Sequence, residues 1–360
     1  MNSNPMVEEN RDLFHVKLFL GFIVMVISVL ILKELRNVFI PFCMALLLYF
    51  FFNGVVRKLT SNRFLSLLFP LQFRKMLVLF FLLIFIFIVF YFFGLLLYAM
   101  ASSFIGKFPA YSGKIAEIIE NFFDVLRIPI GDVNTHINNI DWSKSINTIT
   151  SVVSTTFGSF ASFLGNLVLI IIFLMFMLAG RQALVGRINK AFQEAKADQI
   201  LYIMNSIEDR VQHYLLIKTS VSLMTGLISG VILYLGRFDF VIFAAFLIFL
   251  LNFIPNIGSV LATAFPIFIG VINYGFSLRV LIVSCALILT QMIMGNVVEP
   301  AITGKNLNLS PIVILISLIF WGWIWGITGM ILAVPLTSAM KIIFEHIQPL
   351  KPLADLISVE

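Results

Sequence analysis

The sequence predicts an all-α polytopic membrane protein of about six full spans plus two opposed helical hairpins, and three observations predict it. Of its 360 residues 60% are hydrophobic and only 12% charged, where soluble domains carry about 25% charged residues. The apolar excess is no single anchor, since it runs from Leu18 to Phe344. Two of the apolar stretches, 240–276 and 311–345, exceed the roughly 20 residues of one helical span, and Gly and Pro interrupt both.

The ordinary spans fall at about 16–33, 38–56, 76–100, 156–179, 214–236 and 280–298. The first resembles a signal peptide in length. It lacks a small-residue cleavage site and is followed by Lys33, Glu34 and Arg36, so it reads as an uncleaved span. Residues 57–75 are short and basic, and 101–155 mix acid, base, Asn and Ser. Residues 180–213 read as one amphipathic helix, with Leu184, Ile188, Phe192, Ile200, Ile203, Ile207 and Val211 on a broad face. The expected organisation is therefore three N-terminal spans (1–100), an extracytoplasmic segment (101–155), a span with a cytoplasmic amphipathic helix (156–213), a transport core (214–345) and a cytoplasmic tail (346–360).

Several function classes are excluded. The net charge of +6 is explained by basic loops that set topology and meet anionic lipid, so nucleic acid is not an expected partner. Cys43 and Cys285 both sit in apolar runs, and His15, His136, His213 and His346 are scattered. Neither a disulfide framework nor a metal site is indicated. Gly304–Lys305 is not a phosphate-binding loop, because no Gly lies five residues before Gly304 and Asn306 stands where Ser or Thr belongs. No HExxH or GxSxG motif is present. The chain is expected to be no enzyme and to carry no cofactor.

Positive charge orients the chain. With the N-terminus inside, 16 of the 24 Lys and Arg fall in inner segments, as the positive-inside bias requires. Parity then makes 240–276 begin and end outside, and 311–345 begin and end inside. Each must be a hairpin, either re-entrant or fully spanning. The breaks mark the tips: Asn252, Pro255, Asn256 and Gly258 in the first, Gly322, Gly326 and Gly329 in the second. Ile257–Pro266 also aligns with Thr328–Pro335, with two residues fewer in the second. Span plus hairpin thus repeats in opposite orientation, a pattern that places substrate between broken helices near the bilayer midplane. Non-helical backbone at that depth is tolerated only inside protein or beside a water-filled cavity. The tips, with Pro335, are candidate substrate or gate residues; the alternative is an ordinary connecting turn.

Gln291, Gly295 and Glu299 are four apart and share a helix face, with Asn296 beside them. Ionisable groups at membrane depth are costly and often functional. Gln291, Asn296, Glu299 and Lys305 are therefore the candidate coupling or pathway residues. For Glu299 a headgroup-level helix-end carboxylate is the plain alternative.

Four runs of residues carry a family resemblance: Ile254-Pro-Asn-Ile-Gly258, Val298-Glu-Pro-Ala-Ile-Thr-Gly-Lys305, Leu309-Ser-Pro311 and Gly326-Ile-Thr-Gly-Met-Ile-Leu-Ala-Val-Pro335. On these residues the chain resembles the autoinducer-2 exporter family of bacterial permease-like proteins. It departs from the family pattern at Ser259, Ala301 and Ser310, positions where the family often has Pro, a basic residue and His. The resemblance implies secondary transport, mostly export, by a homo-oligomer of the bacterial inner membrane, and the charge distribution makes both termini cytoplasmic. Its cargo would be a small polar solute; sodium(lithium)/proton antiport is the alternative, and a membrane scaffold or partner-recruiting protein a second. The lipid bilayer and a small-molecule or ion substrate are the expected partners.

Overall fold

The computed structural model describes residues 5–60, 142–303 and 308–358, with scattered positions between 81 and 118. Among them every extended element is a helix. The fold is an all-α polytopic membrane protein. Helix α1 spans Pro5–Glu34, α2 Arg36–Thr60, α3 Trp142–Ala191 and α4 Glu194–Leu235. The first hairpin pairs α5 (Val241–Leu251) with α6 (Ile257–Tyr274). Helix α7 (Leu278–Ile293) continues through a π-helical turn, Met294–Val298, into α8 (Glu299–Thr303). The second hairpin is α9 (Pro311–His346), and α10 (Lys351–Ile357) closes the chain. Six helices of the described residues are long and apolar enough to cross a membrane. Their outward faces are apolar too: Phe176, Leu227, Leu278 and Ile312 are each well exposed, as lipid contact requires.

The amphipathic stretch 180–213 differs from the single helix expected. It is broken at Phe192–Gln193, where α3 ends and α4 begins. The break lets the two helices fold together, so that Arg181 on α3 reaches Glu208 on α4 at 2.8 Å. Glu208 is buried, and a straight helix would hold these residues about 40 Å apart at 1.5 Å per residue. Asn53 on α2 donates a second hydrogen bond to Glu208. Around this polar tie α2, α3 and α4 pack the first apolar cluster, with Ala45, Leu174 and Val211 nearly inaccessible. In agreement with the sequence pattern, α4 then runs on into its membrane half without interruption.

Helix α9 is a hairpin rather than a rod. Ser317 donates to the Ala333 carbonyl at 3.1 Å and meets the Thr337 hydroxyl at 2.5 Å. In a straight helix residues 317 and 333 would lie about 24 Å apart. The chain reverses at Gly326, where φ is +64°, a conformation that costs Gly little. The first hairpin reverses at Asn256, with φ +60°.

The two hairpins share more than a turn. In each the first arm is the shorter: α5 has 11 residues, about 16 Å, far short of the roughly 30 Å hydrocarbon core. Just past each turn a glycine touches the opposite arm's backbone. A Cβ on Gly258 would overlap the Leu251 carbonyl oxygen and lie 2.7 Å from its carbon. On Gly329 it would overlap the Trp321 carbonyl oxygen and lie 2.6 Å from its carbon. Four residues on, Ala262 and Ala333 are both fully buried. The helices leading into the hairpins, α4 and α7, run antiparallel: Lys218 meets Glu299, Val221 packs with Met294, and Gly236 faces Val283. The repeats are therefore inverted.

Candidate functional site

The tip of the first hairpin and the C-terminal half of α7 enclose a cavity of about 580 Å3. Asn252, Pro255 and Asn256 line it from the tip, Ser259 and Thr263 from α6, Gln291, Gly295, Asn296 and Glu299 from α7 and its continuation, and Lys218 from α4. The π-helical turn explains how one helix contributes so many. Glu299 donates its backbone N–H to Met294, five residues back rather than four. The extra residue per turn rotates the remainder of the helix, and such bulges recur at functional sites. Gly295 adds room, since a Cβ there would meet nothing within 4 Å.

The polar groups are of two kinds. The first is an ion pair. The Lys218 ammonium lies 2.7 and 2.8 Å from the two carboxylate oxygens of Glu299. The Lys218 side chain is 6% exposed and that of Glu299 23%. Burying an ammonium is costly unless it is paired, and this pair ties α4 to the end of α7. The second kind is neutral: four side-chain amides and two hydroxyls. The Gln291 Nε2 is buried and has no hydrogen-bond partner. Such orphaned donors are rare in native interiors, and this one lines a cavity. A carbonyl, ether or hydroxyl oxygen of a bound solute would satisfy it.

The expected site residues separate into two groups. Asn252, Pro255, Asn256, Gln291, Asn296 and Glu299 converge on the cavity. Gly258 does not line it but sets the close crossing of α5 and α6. Gly322, Gly326, Gly329 and Pro335 shape the second tip, which packs on apolar side chains. Trp321, Trp325, Ile324 and Leu332 pack there with Cys43 of α2 and with Ile254 of the first tip. Trp325 donates its indole N–H to the Leu32 carbonyl at 3.0 Å, and Lys33 sits over the Trp323 ring. The two tips thus meet through Ile254, which also lines the polar cavity. Lys305 lies outside the described residues.

Lys218 and Thr263 join the site without having been singled out by sequence pattern, and so does Ser259, noted there only as a departure from the family pattern. By charge alone Lys218 counts with the inner basic segment. It does carry a signal: it follows Leu215-Leu216-Ile217 inside an apolar run, where an unpaired cation is disfavoured.

Comparison with known proteins decides the family. The sequence model of the AI-2E family transporters matches residues 20–348. The chain belongs to that family. It is 43% identical to the AI-2 transport protein TqsA of Escherichia coli (strain K12) over 42% of this chain and 43% of that protein. It is 35% identical to a putative transport protein of Borreliella burgdorferi over 49% of each chain. It is 44% identical to one from Haemophilus influenzae over 37% of this chain and 38% of that one. Each match thus spans less than half the length of the relative. By its family and its long apolar helices the chain is a multi-pass membrane protein.

Proposed function

We propose that this protein is a secondary transporter that exports a small polar solute across the bacterial inner membrane, with residues 214–345 as its transport core. Its termini are cytoplasmic in this reading, by the distribution of Lys and Arg. Asn252, Asn256, Gln291 and Asn296 bind the solute, and the Lys218–Glu299 pair forms the charged wall of the site. The observation that carries the reading is the cavity itself, which gathers one hairpin tip, a π-helical turn and a buried ion pair. Inverted repeats with substrate between broken helices are a recurrent transporter design. The chemistry of the wall favours a solute over a bare cation, because both oxygens of Glu299 are engaged by Lys218 and the other polar groups are neutral. The homo-oligomer implied by the family resemblance is part of this proposal, and the size of the detergent-solubilised particle tests it.

A relative is named for AI-2 transport, so AI-2 is the first solute to try. The purified protein in proteoliposomes is loaded with labelled AI-2 and its efflux timed, beside a panel of other small polar solutes. Gly295→Phe places a ring in the cavity where a Cβ meets no neighbour; it should abolish flux, while Gly295→Ala retains it. Flux through Gly295→Phe at the parent rate would refute this cavity as the substrate site.

A further inference from the structure

The cavity has a floor, and the floor has a fastening. Toward the α4–α5 turn, Ile267 both lines the cavity and packs on a separate apolar cluster of Leu233, Phe238, Val280, Val283 and Leu287. Phe238 is the keystone. It is 6% exposed and its ring occupies the space of two missing side chains. A Cβ on Gly270 would overlap the ring and lie 2.7 Å from its Cζ, and one on Gly236 would lie 3.2 Å from its Cδ2. Residues on both sides of Phe238 are tied down. The carbonyl of Arg237 accepts a hydrogen bond from the Tyr274 hydroxyl. The Asp239 carboxylate accepts from Asn273 of α6 at 2.7 Å, from Tyr111 at 3.1 Å and from Lys107 at 2.5 Å. Lys114 in turn donates to the Asn273 carbonyl at 3.1 Å.

A polar track runs beside this plug. The α7 face that carries Gln291 continues outward through Ser284, two turns away, and leads to Ser277, the residue that precedes the helix. The Gln291 Nε2, Ser284 Oγ and Ser277 Oγ are all buried and none has a hydrogen-bond partner. A seam meant to stay shut gains nothing from three orphaned polar atoms. A seam that parts would offer them to a passing solute.

Resting on the transporter reading above, we infer that Phe238 is the outer gate of this cavity, closing the α6–α7 seam, and that Asp239 is its latch. Asp239 joins the turn after α4 to Asn273 at the end of α6 and to Lys107 and Tyr111 of the preceding segment, so the plug leaves only when these contacts release. Phe238 and Asp239 act through the route and are not residues of the binding site.

Thiol accessibility tests this on the full-length protein. In a Cys43→Ala, Cys285→Ala background, Ala264→Cys puts a reporter on the cavity wall next to Ile267. Membrane-impermeant maleimide is added to right-side-out and inverted vesicles. In the parent the reporter should react from the face opposite the α4–α5 turn and be protected from the face that carries it. Asp239→Asn should raise reaction from the protected face about tenfold, the shift expected for one lost charge-assisted hydrogen bond. Phe238→Ala should raise it at least as much. Unchanged protection in Asp239→Asn, with the reporter still reactive from the opposite face, would overturn the gate and leave the cavity standing. Lack of reaction from both faces in the parent and in both variants would overturn the cavity and the gate together.

Discussion

Glu299→Gln isolates what the buried ion pair is worth. The substitution keeps the shape and removes the charge, leaving the Lys218 ammonium 6% exposed with no counter-ion. Removing one partner of a buried pair costs about 3–5 kcal/mol, most of it the penalty of the stranded charge. Glu299 retains some water contact at 23% exposure, so the lower end, about 3 kcal/mol, is expected. Lys218→Met should cost less, because a carboxylate at the cavity edge can hydrate. The double variant Lys218→Met, Glu299→Gln replaces both charges with groups of similar volume and should regain most of the loss, leaving a coupling energy of about 2 kcal/mol. The assay is a double-mutant cycle of unfolding free energies in mixed micelles, where neighbours in contact give interaction energies of about 0.5–3 kcal/mol. Single variants that lose under about 0.5 kcal/mol and combine additively would show that the pair does not hold α4 to α8.

The same geometry sets four other expectations. Gly258→Ala and Gly329→Ala each drive a Cβ into a carbonyl of the opposite hairpin arm; both should lower the yield of folded protein sharply, while Gly295→Ala should stay within about 0.5 kcal/mol of the parent. Lys341 is fully buried and donates to the Asn308 carbonyl at 2.7 Å, so Lys341→Ala should cost about 2–4 kcal/mol and speed limited proteolysis near Asn308. Removal of residues 351–360 deletes the Leu309–Ser358 bridge and the Ser310 N–H to Ile357 bond and should expose the same loop to protease without unfolding α4 or α7. The Asp239 latch has a pH sign. Burial raises its pKa, but hydrogen bonds from Lys107, Tyr111 and Asn273, with the Lys107 charge, outweigh that and hold it below the ordinary 3.8. A depressed carboxylate stabilises its closed contacts fully above the ordinary value and loses them as pH falls through its own lower one. Protection of the cavity reporter should thus persist at neutral pH and fail only below pH 3.8, and Asp239→Asn should remove that dependence.

The sequence made the scaffold legible because the membrane leaves few options. Hydropathy located the long helices of the described residues, the expected span 76–100 lying largely outside them; parity of charged loops required two hairpins, and Gly and Pro placed their turns at Asn256 and Gly326. Each of those inferences rests on a local rule that lipid enforces. Gln291, Asn296 and Glu299 are found by helix spacing and do share a wall, although the π-helical turn alters the register that spacing assumes. The hidden features depend on contacts between distant residues. Lys218 lies 81 positions from Glu299, and Lys107 lies 132 from Asp239. The break at Phe192–Gln193 is also invisible in the sequence, since no Pro or Gly marks it and the apolar face is continuous across it; the buried Arg181–Glu208–Asn53 contact supplies the reason for folding there.

The repeat shows where backbone symmetry ends and function begins. Both tips turn on a positive-φ residue, cross at a glycine and bury an alanine one turn later, so one local fold has been used twice in opposite directions. Their side chains diverge. The first tip carries Asn252 and Asn256 toward a cavity; the second carries Trp321 and Trp325 into an apolar contact with α1 and α2. If both tips moved alike, the Trp325 indole would lose its bond to the Leu32 carbonyl and leave a buried donor unpaired, at about 1–3 kcal/mol. The first tip faces no such anchor among the described residues, and its short α5 arm leans on α4 through Gly226 and Gly230, where small residues permit close approach and sliding. The proposed transport cycle therefore takes the second hairpin as its fixed frame and the first as its moving part. Trp325→Phe should consequently weaken stability by about 1–2 kcal/mol while leaving solute selectivity intact, and Asn256→Ala should do the reverse. A change of selectivity in Trp325→Phe, measured across a solute panel in proteoliposomes, would refute that division of labour.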